Sequence, residues 1–297
     1  GLNVRLWDIR EGRVVRELVP PDAATFSPGM LAFSPDGAQV ARIYTSSSIV
    51  VWSVETGEVL RVIGQSSTAQ GLSGLAYTGS AKAPRLAASA MVSGQPGIIF
   101  WDALTGDLLA GSASGAAEIA PFVVSPNGRM VVQAGKDGVV RFWNGVTGQP
   151  AGRQIIYACP DSLIGASFNY SGGLLTLACD AASDTQARLR LFFYSPNYYR
   201  PDAMSLFSVF ASDSLSSGLV AFTVDSALLG ITSGNVTMGS RANQLELWGF
   251  YSRRHAATLS VMLQDIQKAQ FSLDGKLLLL SLSDGSVEIW GIPPAQP

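Results

Sequence analysis

Residues 124–149 read VSPNGRMVVQAGKDGVVRFWNGVTGQ, and this stretch contains every local signal that decides the fold. Ser125-Pro126-Asn127-Gly128 is turn chemistry. Proline fixes φ, asparagine hydrogen-bonds the backbone ahead of it, and glycine accepts a positive φ. Met130-Val131-Val132 follows as a continuous apolar, β-branched run, which suits a strand covered on both faces. Lys136-Asp137-Gly138 is a second turn, Val140-Arg141-Phe142-Trp143 a second strand that ends on an aromatic, and Val146-Thr147-Gly148-Gln149 a third turn. The spacing predicts antiparallel hairpins in series; a helix would need an apolar stripe at 3.6-residue spacing over ten or more residues, and no segment between these turns has one.

The same words recur along the chain. Strand words of the form apolar, any residue, apolar, aromatic occur at Val4-Arg5-Leu6-Trp7, Ile49-Val50-Val51-Trp52, Ile98-Ile99-Phe100-Trp101, Val140-Arg141-Phe142-Trp143, Leu189-Arg190-Leu191-Phe192, Leu245-Glu246-Leu247-Trp248 and Val287-Glu288-Ile289-Trp290. All six tryptophans occupy that slot, at spacings of 45, 49, 42, 49, 56 and 42 residues once Phe192 is included. That period is the length of one four-stranded propeller blade. Turn words precede the strand at Phe33-Ser34-Pro35-Asp36-Gly37, Phe168-Asn169-Tyr170-Ser171-Gly172, Phe222-Thr223-Val224-Asp225-Ser226 and Phe271-Ser272-Leu273-Asp274-Gly275. Closing turns follow it at Glu55-Thr56-Gly57-Glu58, Leu104-Thr105-Gly106-Asp107 and the degenerate Arg10-Glu11-Gly12-Arg13. Each repeat is therefore read as four antiparallel strands with the aromatic on the third. Radial sheets diverge outward, so a bulky ring is expected there as a buried filler.

Counting removes several chemistries. At 47% hydrophobic and 14% charged over 297 residues the chain is core-rich and not disordered. Its 20 Lys and Arg against 22 Asp and Glu give a net charge of −2, so no field gathers phosphates or anionic lipid, and neither nucleic acid nor membrane insertion is expected. No apolar run reaches the length of a membrane-spanning helix. The single histidine, His255, excludes His-rich zinc sites. Cys159 and Cys179 are read as small apolar side chains, with a disulfide as the alternative. GxSxG, GxGxxG and GxxxxGK[ST] are all missing. Asp180, Asp184, Asp202 and Asp213 lack the regular spacing of a calcium loop and read as solvated carboxylates. No catalytic residue, metal site or cofactor is assigned, and a small-molecule ligand is not expected.

At these residues the chain resembles the WD40-repeat family of β-propellers over essentially its whole length. The family dipeptide stands at Trp7-Asp8 and Trp101-Asp102, whereas Ser53, Asn144, Gly249 and Gly291 follow the other tryptophans. No Gly-His dipeptide exists, so the family's His and Asp arrangement cannot form and packing must supply blade rigidity. The resemblance implies an all-β propeller acting as a non-enzymatic platform for a protein or peptide partner. A propeller enzyme with an axial site, or a sensor or anchoring domain of a longer protein, is the alternative. The first strands around Leu31, Leu75, Val123, Ala166, Ala221 and Ala269 are small and apolar, which favours the platform.

Residues 1–292 are read as one propeller domain and the proline-rich 293–297 as a tail or linker. Seven third strands but six preceding pairs predict seven blades with an incomplete first blade and a chain that begins upstream. In the rival six-bladed ring, the strand around Val14 to Leu18 closes the last blade. The expected compartment is the cytoplasm, unless a signal peptide precedes residue 1.

Function is sought where repeats depart from their mean. Two connections between second and third strands are long, Asp180 to Ala187 and Ser233 to Asn243. On the opposite rim, the turns after the third strands carry Tyr194, Tyr198, Tyr199 and Arg200 in the fifth repeat and Tyr251, Arg253, Arg254 and His255 in the sixth. Tyr and Arg dominate binding hot spots, so these eight residues are the candidate partner-binding set, with His255 expected to be exposed.

Overall fold

The computed structural model of the chain describes residues 4–9, 11–21, 30–64, 69–116, 119, 122–134, 137–155, 162–169, 171–173, 175–180, 189–194, 205–209, 220–222, 228–235, 241–249, 252, 254–261, 266–272 and 277–291. It is all strand and turn, with no helix among the described residues and therefore none long and apolar enough to cross a membrane.

Seven sheets follow one another in sequence order. β1 (Val4–Asp8) and β2 (Arg13–Leu18) form a two-stranded sheet. The second sheet is β3 (Leu31–Phe33), β4 (Gln39–Thr45), β5 (Ser48–Ser53) and β6 (Val59–Ile63). The third is β7 (Ala69–Ser80), β8 (Ala83–Val92), β9 (Gln95–Asp102) and β10 (Leu108–Ala113). The fourth is β11 (Phe122–Val124), β12 (Met130–Ala134), β13 (Val140–Asn144) and β14 (Pro150–Ile155). The fifth is β15 (Ser162–Phe168), β16 (Leu175–Asp180), β17 (Leu189–Tyr194) and β18 (Ser205–Val209). The sixth is β19 (Val220–Phe222), β20 (Leu228–Asn235), β21 (Arg241–Gly249) and β22 (His255–Ser260). The last holds β23 (Ile266–Phe271), β24 (Leu277–Leu282) and β25 (Val287–Gly291). Strand order within each sheet is sequence order, as a meander requires. The chain forms two compact units, residues 1–135 with 141–154 and residues 136–140 with 155–297.

The repeated words are repeated hydrogen-bond patterns. In the turn from β3 to β4, Ser34 N–H donates to the Gln39 carbonyl and Gln39 N–H to Ser34 Oγ, both at 2.9 Å. Ser34 Oγ donates to Asp36 Oδ1 at 2.5 Å, and Ala38 N–H donates to the same oxygen at 3.0 Å. These bonds, the serine hydroxyl first, hold the Asp36 carboxyl below the usual aspartate value. Ser125 and Asn127 rebuild the pattern between β11 and β12, and Ser272 with Leu277 rebuild part of it in the last sheet. The third sheet departs from the word: β7 and β8 are long strands joined through Ala81-Lys82, with Ser80 paired to Ala83.

The third-strand aromatics sit on the preceding sheet. Trp52 clusters with Val4 and Leu18 and donates its Nε1 proton to the Val19 carbonyl at 2.9 Å. Trp101 clusters with Ile43, Ile49, Val51 and Ile63 of the second sheet, and Trp143 with Ala87, Ile98 and Phe100 of the third. All three are buried, as the sequence predicts. The expectation fails at both ends of the series, where Trp7 is 58% and Trp290 37% exposed. Within the first unit no sheet precedes β1, and β25 has no partner strand beyond it among the described residues. In the second unit Leu245, Val261, Ile266, Leu278, Leu280 and Leu282 form the core between the sixth and last sheets.

β2 pairs with β1 through Val4–Leu18, Arg5–Glu17 and Leu6–Arg16. The six preceding pairs and seven third strands are all present. One expectation is corrected: residues 233–243 are not simply a loop. Ser233 pairs with Gln244 and Asn235 with Arg241, so the added residues lengthen the β20–β21 hairpin. Backbone pairing satisfies polar groups that a longer loop would leave to water. Asp180 ends β16, and residues 181–188, like Cys159 and the tail 293–297, lie outside the described residues. Cys179 lies in β16 opposite Leu163 and Arg190.

Candidate functional site

The turn from third to fourth strand is built the same way in most sheets, and it shows what the residue after the tryptophan does. Asp102 Oδ1 accepts from Leu104 N–H at 2.8 Å and Thr105 N–H at 3.1 Å, while Oδ2 accepts from Arg85 Nη1 at 2.6 Å. Asn144 Oδ1 accepts from Val146 and Thr147 N–H, Ser53 Oγ from Thr56 N–H, and Asp8 Oδ1 from Glu11 N–H. The threonine of each Thr-Gly word accepts in turn from the N–H two residues on. The aspartate of the Trp-Asp dipeptide is thus a turn organiser here, and at Asp102 it is also one half of an ion pair to β8. Asp102→Ala is expected to cost about 2 kcal/mol, because it strips two backbone donors and an Arg85 that is largely shielded from water, against under about 1 kcal/mol for Ser53→Ala. Urea unfolding of the two variants checks this.

The sixth sheet uses the same turn. Gly249 N–H donates to the Arg254 carbonyl at 2.8 Å, just as Ser53, Asp102 and Asn144 donate to the carbonyls of Glu58, Asp107 and Gln149. Arg254 N–H lies 3.3 Å from Ser252 Oγ, so Ser252 takes the threonine's place. The backbone of Arg254 is scaffold, and its side chain stands exposed beyond it. His255 opens β22 opposite Trp248 and is exposed, as expected. Its ring meets the Trp248 indole edge-on at 5.3 Å between centroids, and its Nε2 lies 2.9 Å from Thr258 Oγ1. Trp248 Nε1 donates to Glu246 Oε2 at 3.1 Å. The exposed histidine and the half-buried indole are thereby held in register on one hairpin, while the Glu246 carboxylate that the indole bonds is buried.

Of the remaining candidates, Tyr194 ends β17 opposite Leu175. Tyr198, Tyr199, Arg200, Tyr251 and Arg253 lie outside the described residues. Sequence reasoning did not find the Arg85–Asp102 pair, since Arg85 belongs to no repeat word. Nor did it find Tyr77, whose buried phenol donates to Gln39 Oε1 at 3.4 Å and is held above the usual tyrosine value by burial. Among the described residues no three His, Cys, Asp or Glu side chains stand together as a metal-binding group.

No family model matches the chain, and no curated protein matches it in sequence. Among solved structures it is similar to the β-propeller domain of Cps50 (Swd1) from Myceliophteria thermophila, at 15% identity and a TM-score of 0.71, over 98% of this chain and 90% of that one. At that identity the likeness speaks to the fold. The in-order meander sheets, the tryptophan-bearing third strands and this likeness together establish a β-propeller fold.

Proposed function

We propose that the chain is a non-catalytic platform, residues 1–292 acting as one domain, that binds a protein or peptide partner through the turns after the third strands of its fifth and sixth sheets. The observation that carries this reading is the hairpin β21–β22. It holds Arg254 and His255 exposed on a backbone fixed by the repeat's own turn bonds, with the histidine ring braced by Trp248 and Thr258. Side chains pre-ordered before contact lose less freedom on binding. Tyr194, Tyr198, Tyr199, Arg200, Tyr251 and Arg253 extend the same two turns and supply the aromatic and guanidinium chemistry of hot spots.

Capture tests it. The immobilised chain is exposed to proteins from its source, beside a Tyr198→Ala/Tyr199→Ala/Arg254→Ala variant that keeps its circular dichroism. A partner held by the parent is expected to weaken at least about tenfold with the variant. Equal retention by both would remove these turns from the binding surface.

A further inference from the structure

The turn after the third strand keeps one backbone pattern while its charge changes sign. Ser53, Asp102, Asn144 and Gly249 each donate their N–H to the carbonyl five residues on, so residues 53–58, 102–107, 144–149 and 249–254 are equivalent, and Asp8 pairs with Arg13 at the same place in the first sheet. Residues 53–58 carry Glu55 and Glu58, residues 102–107 carry Asp102 and Asp107, and residues 144–149 carry no charge. Residues 8–13 balance Asp8 and Glu11 against Arg10 and Arg13. Residues 249–254 are purely cationic, with Arg253 and Arg254 followed directly by His255. The fifth repeat adds Arg200 and Asp202.

Arginines beside the other turns are neutralised within their own sheet: Arg13 pairs with Glu11, and Arg85 with Asp102. The sixth sheet omits the counter-charge. Gly249 stands where Asp102 stands, which removes the turn carboxylate. Glu246, the one Asp or Glu between residues 241 and 260, is buried and accepts the Trp248 Nε1 hydrogen bond. Arg254 is exposed, and no carboxylate among the described residues forms an ion pair with it. Nor does the turn belong to a broadly basic surface, because residues 155–297 carry eight Lys and Arg against eleven Asp and Glu. A local cationic spot on an otherwise acidic unit favours a short acidic segment over a long polyanion, whose remaining phosphates would meet like charge.

We propose that the segment bound at the sixth sheet's turn is an acidic peptide whose Asp or Glu side chains pair with Arg253 and Arg254. This rests on the platform reading and narrows its partner to one chemical class. Guanidinium groups bind carboxylates through two parallel hydrogen bonds, which orients the peptide as well as attracting it. At an exposed turn that attraction is screened by salt.

The probe is a phage-displayed library of short random peptides, selected in parallel on the full 297-residue chain, on Arg253→Glu/Arg254→Glu and on Lys82→Glu/Arg129→Glu. The last variant makes the same charge change at two exposed turn residues of other sheets. Glu58 and Asp107 already occupy the place of Arg254 in equivalent turns, so the backbone accommodates a carboxylate there. If Arg253→Glu/Arg254→Glu loses its circular dichroism, Arg254→Glu is read in its place. Peptides from the parent and from Lys82→Glu/Arg129→Glu are expected to hold Asp and Glu at least about twofold above the unselected library. As fluorescein-labelled synthetic copies they should bind Arg253→Glu/Arg254→Glu at least about tenfold more weakly, and should weaken at least about threefold between about 50 and about 300 mM sodium chloride.

The proposal is overturned if no binder is recovered, if the binders show no acidic enrichment, or if that enrichment persists on Arg253→Glu/Arg254→Glu. It is also overturned if a thymidine oligonucleotide displaces the labelled peptide at comparable concentration, which would make the turn a general anion site. Binders without acidic enrichment that still weaken on Tyr198→Ala/Tyr199→Ala would remove the acidic class and leave the platform reading standing. Binding to that variant and to Arg253→Glu/Arg254→Glu as tight as to the parent would remove both.

Discussion

Trp101→Ala is expected to destabilise the fold by about 3–5 kcal/mol, the range for truncating a large buried aromatic, and Trp7→Ala by no more than about 0.5 kcal/mol. The two residues occupy the same slot of the same repeat, so identity and propensity cancel in the comparison. Trp101 is 1% exposed among Ile43, Ile49, Val51 and Ile63, and its loss opens a cavity between two complete sheets that backbone pairing keeps from collapsing. Trp7 points away from the cluster formed by Val4 and Leu18 and is mostly in water. Urea midpoints of the two variants measure the difference. Near-equal values would show that the third-strand aromatic does not act as the spacer between sheets.

Gly128→Ala carries the second large effect, an expected loss of at least about 3 kcal/mol, against about 1 kcal/mol for Gly37→Ala. Both glycines close the same turn in the left-handed region, at φ +67° and +72°, so both variants incur the conformational penalty of an L side chain there. Only Gly128 has a neighbour. A Cβ there would run into the Gly79 backbone, whose nitrogen would stand 2.8 Å away, and would force apart the bond from Gly79 N–H to the Gly128 carbonyl, also 2.8 Å. No flexible side chain stands between the two backbones to absorb the collision. Thermal melts of both variants decide it, and equal shifts would mean that the turn and β7 do not approach as described.

Much of this fold is legible in the sequence because the repeat is written in residues whose chemistry is local. Ser34-Pro35-Asp36-Gly37 and Asn144 through Thr147 to Gly148 each fold onto their own backbone, so their types alone predict the turns. The sixth sheet's turn is placed by the repeat spacing but carries no closing word, because Gly249 and Ser252 replace the side-chain acceptor and the threonine while keeping the backbone bonds. The β7–β8 turn escaped it because Ala81-Lys82 carries no turn residue; cross-strand pairing of long strands specifies it instead. The added residues at 233–243 look like a loop, since Gly, Asn, Thr and Ser dominate them, yet Ser233 and Asn235 stay in the ladder, paired with Gln244 and Arg241. Exposure of Trp7, Leu31 and Phe33 could not be read at all: it depends on what stands opposite in space, and the words around them match those of buried counterparts.

The candidate site was legible only in composition. Tyr and Arg enrichment marked residues 194–200 and 251–255, but the locking of His255 between Trp248 and Thr258 arises from strand register, which sequence spacing does not reveal. The same register makes Arg254 serve two ends, its carbonyl closing the turn and its guanidinium free to meet solvent or a partner.

The platform reading is tested most directly by a hydrogen-exchange footprint of the chain with its captured partner bound. The account predicts protection across the turns of residues 194–204 and 249–255, with the first strands β3, β7 and β11 unchanged. Protection confined to those first strands, with both turns exchanging as in the free chain, would contradict it and place the function along the inner strands instead.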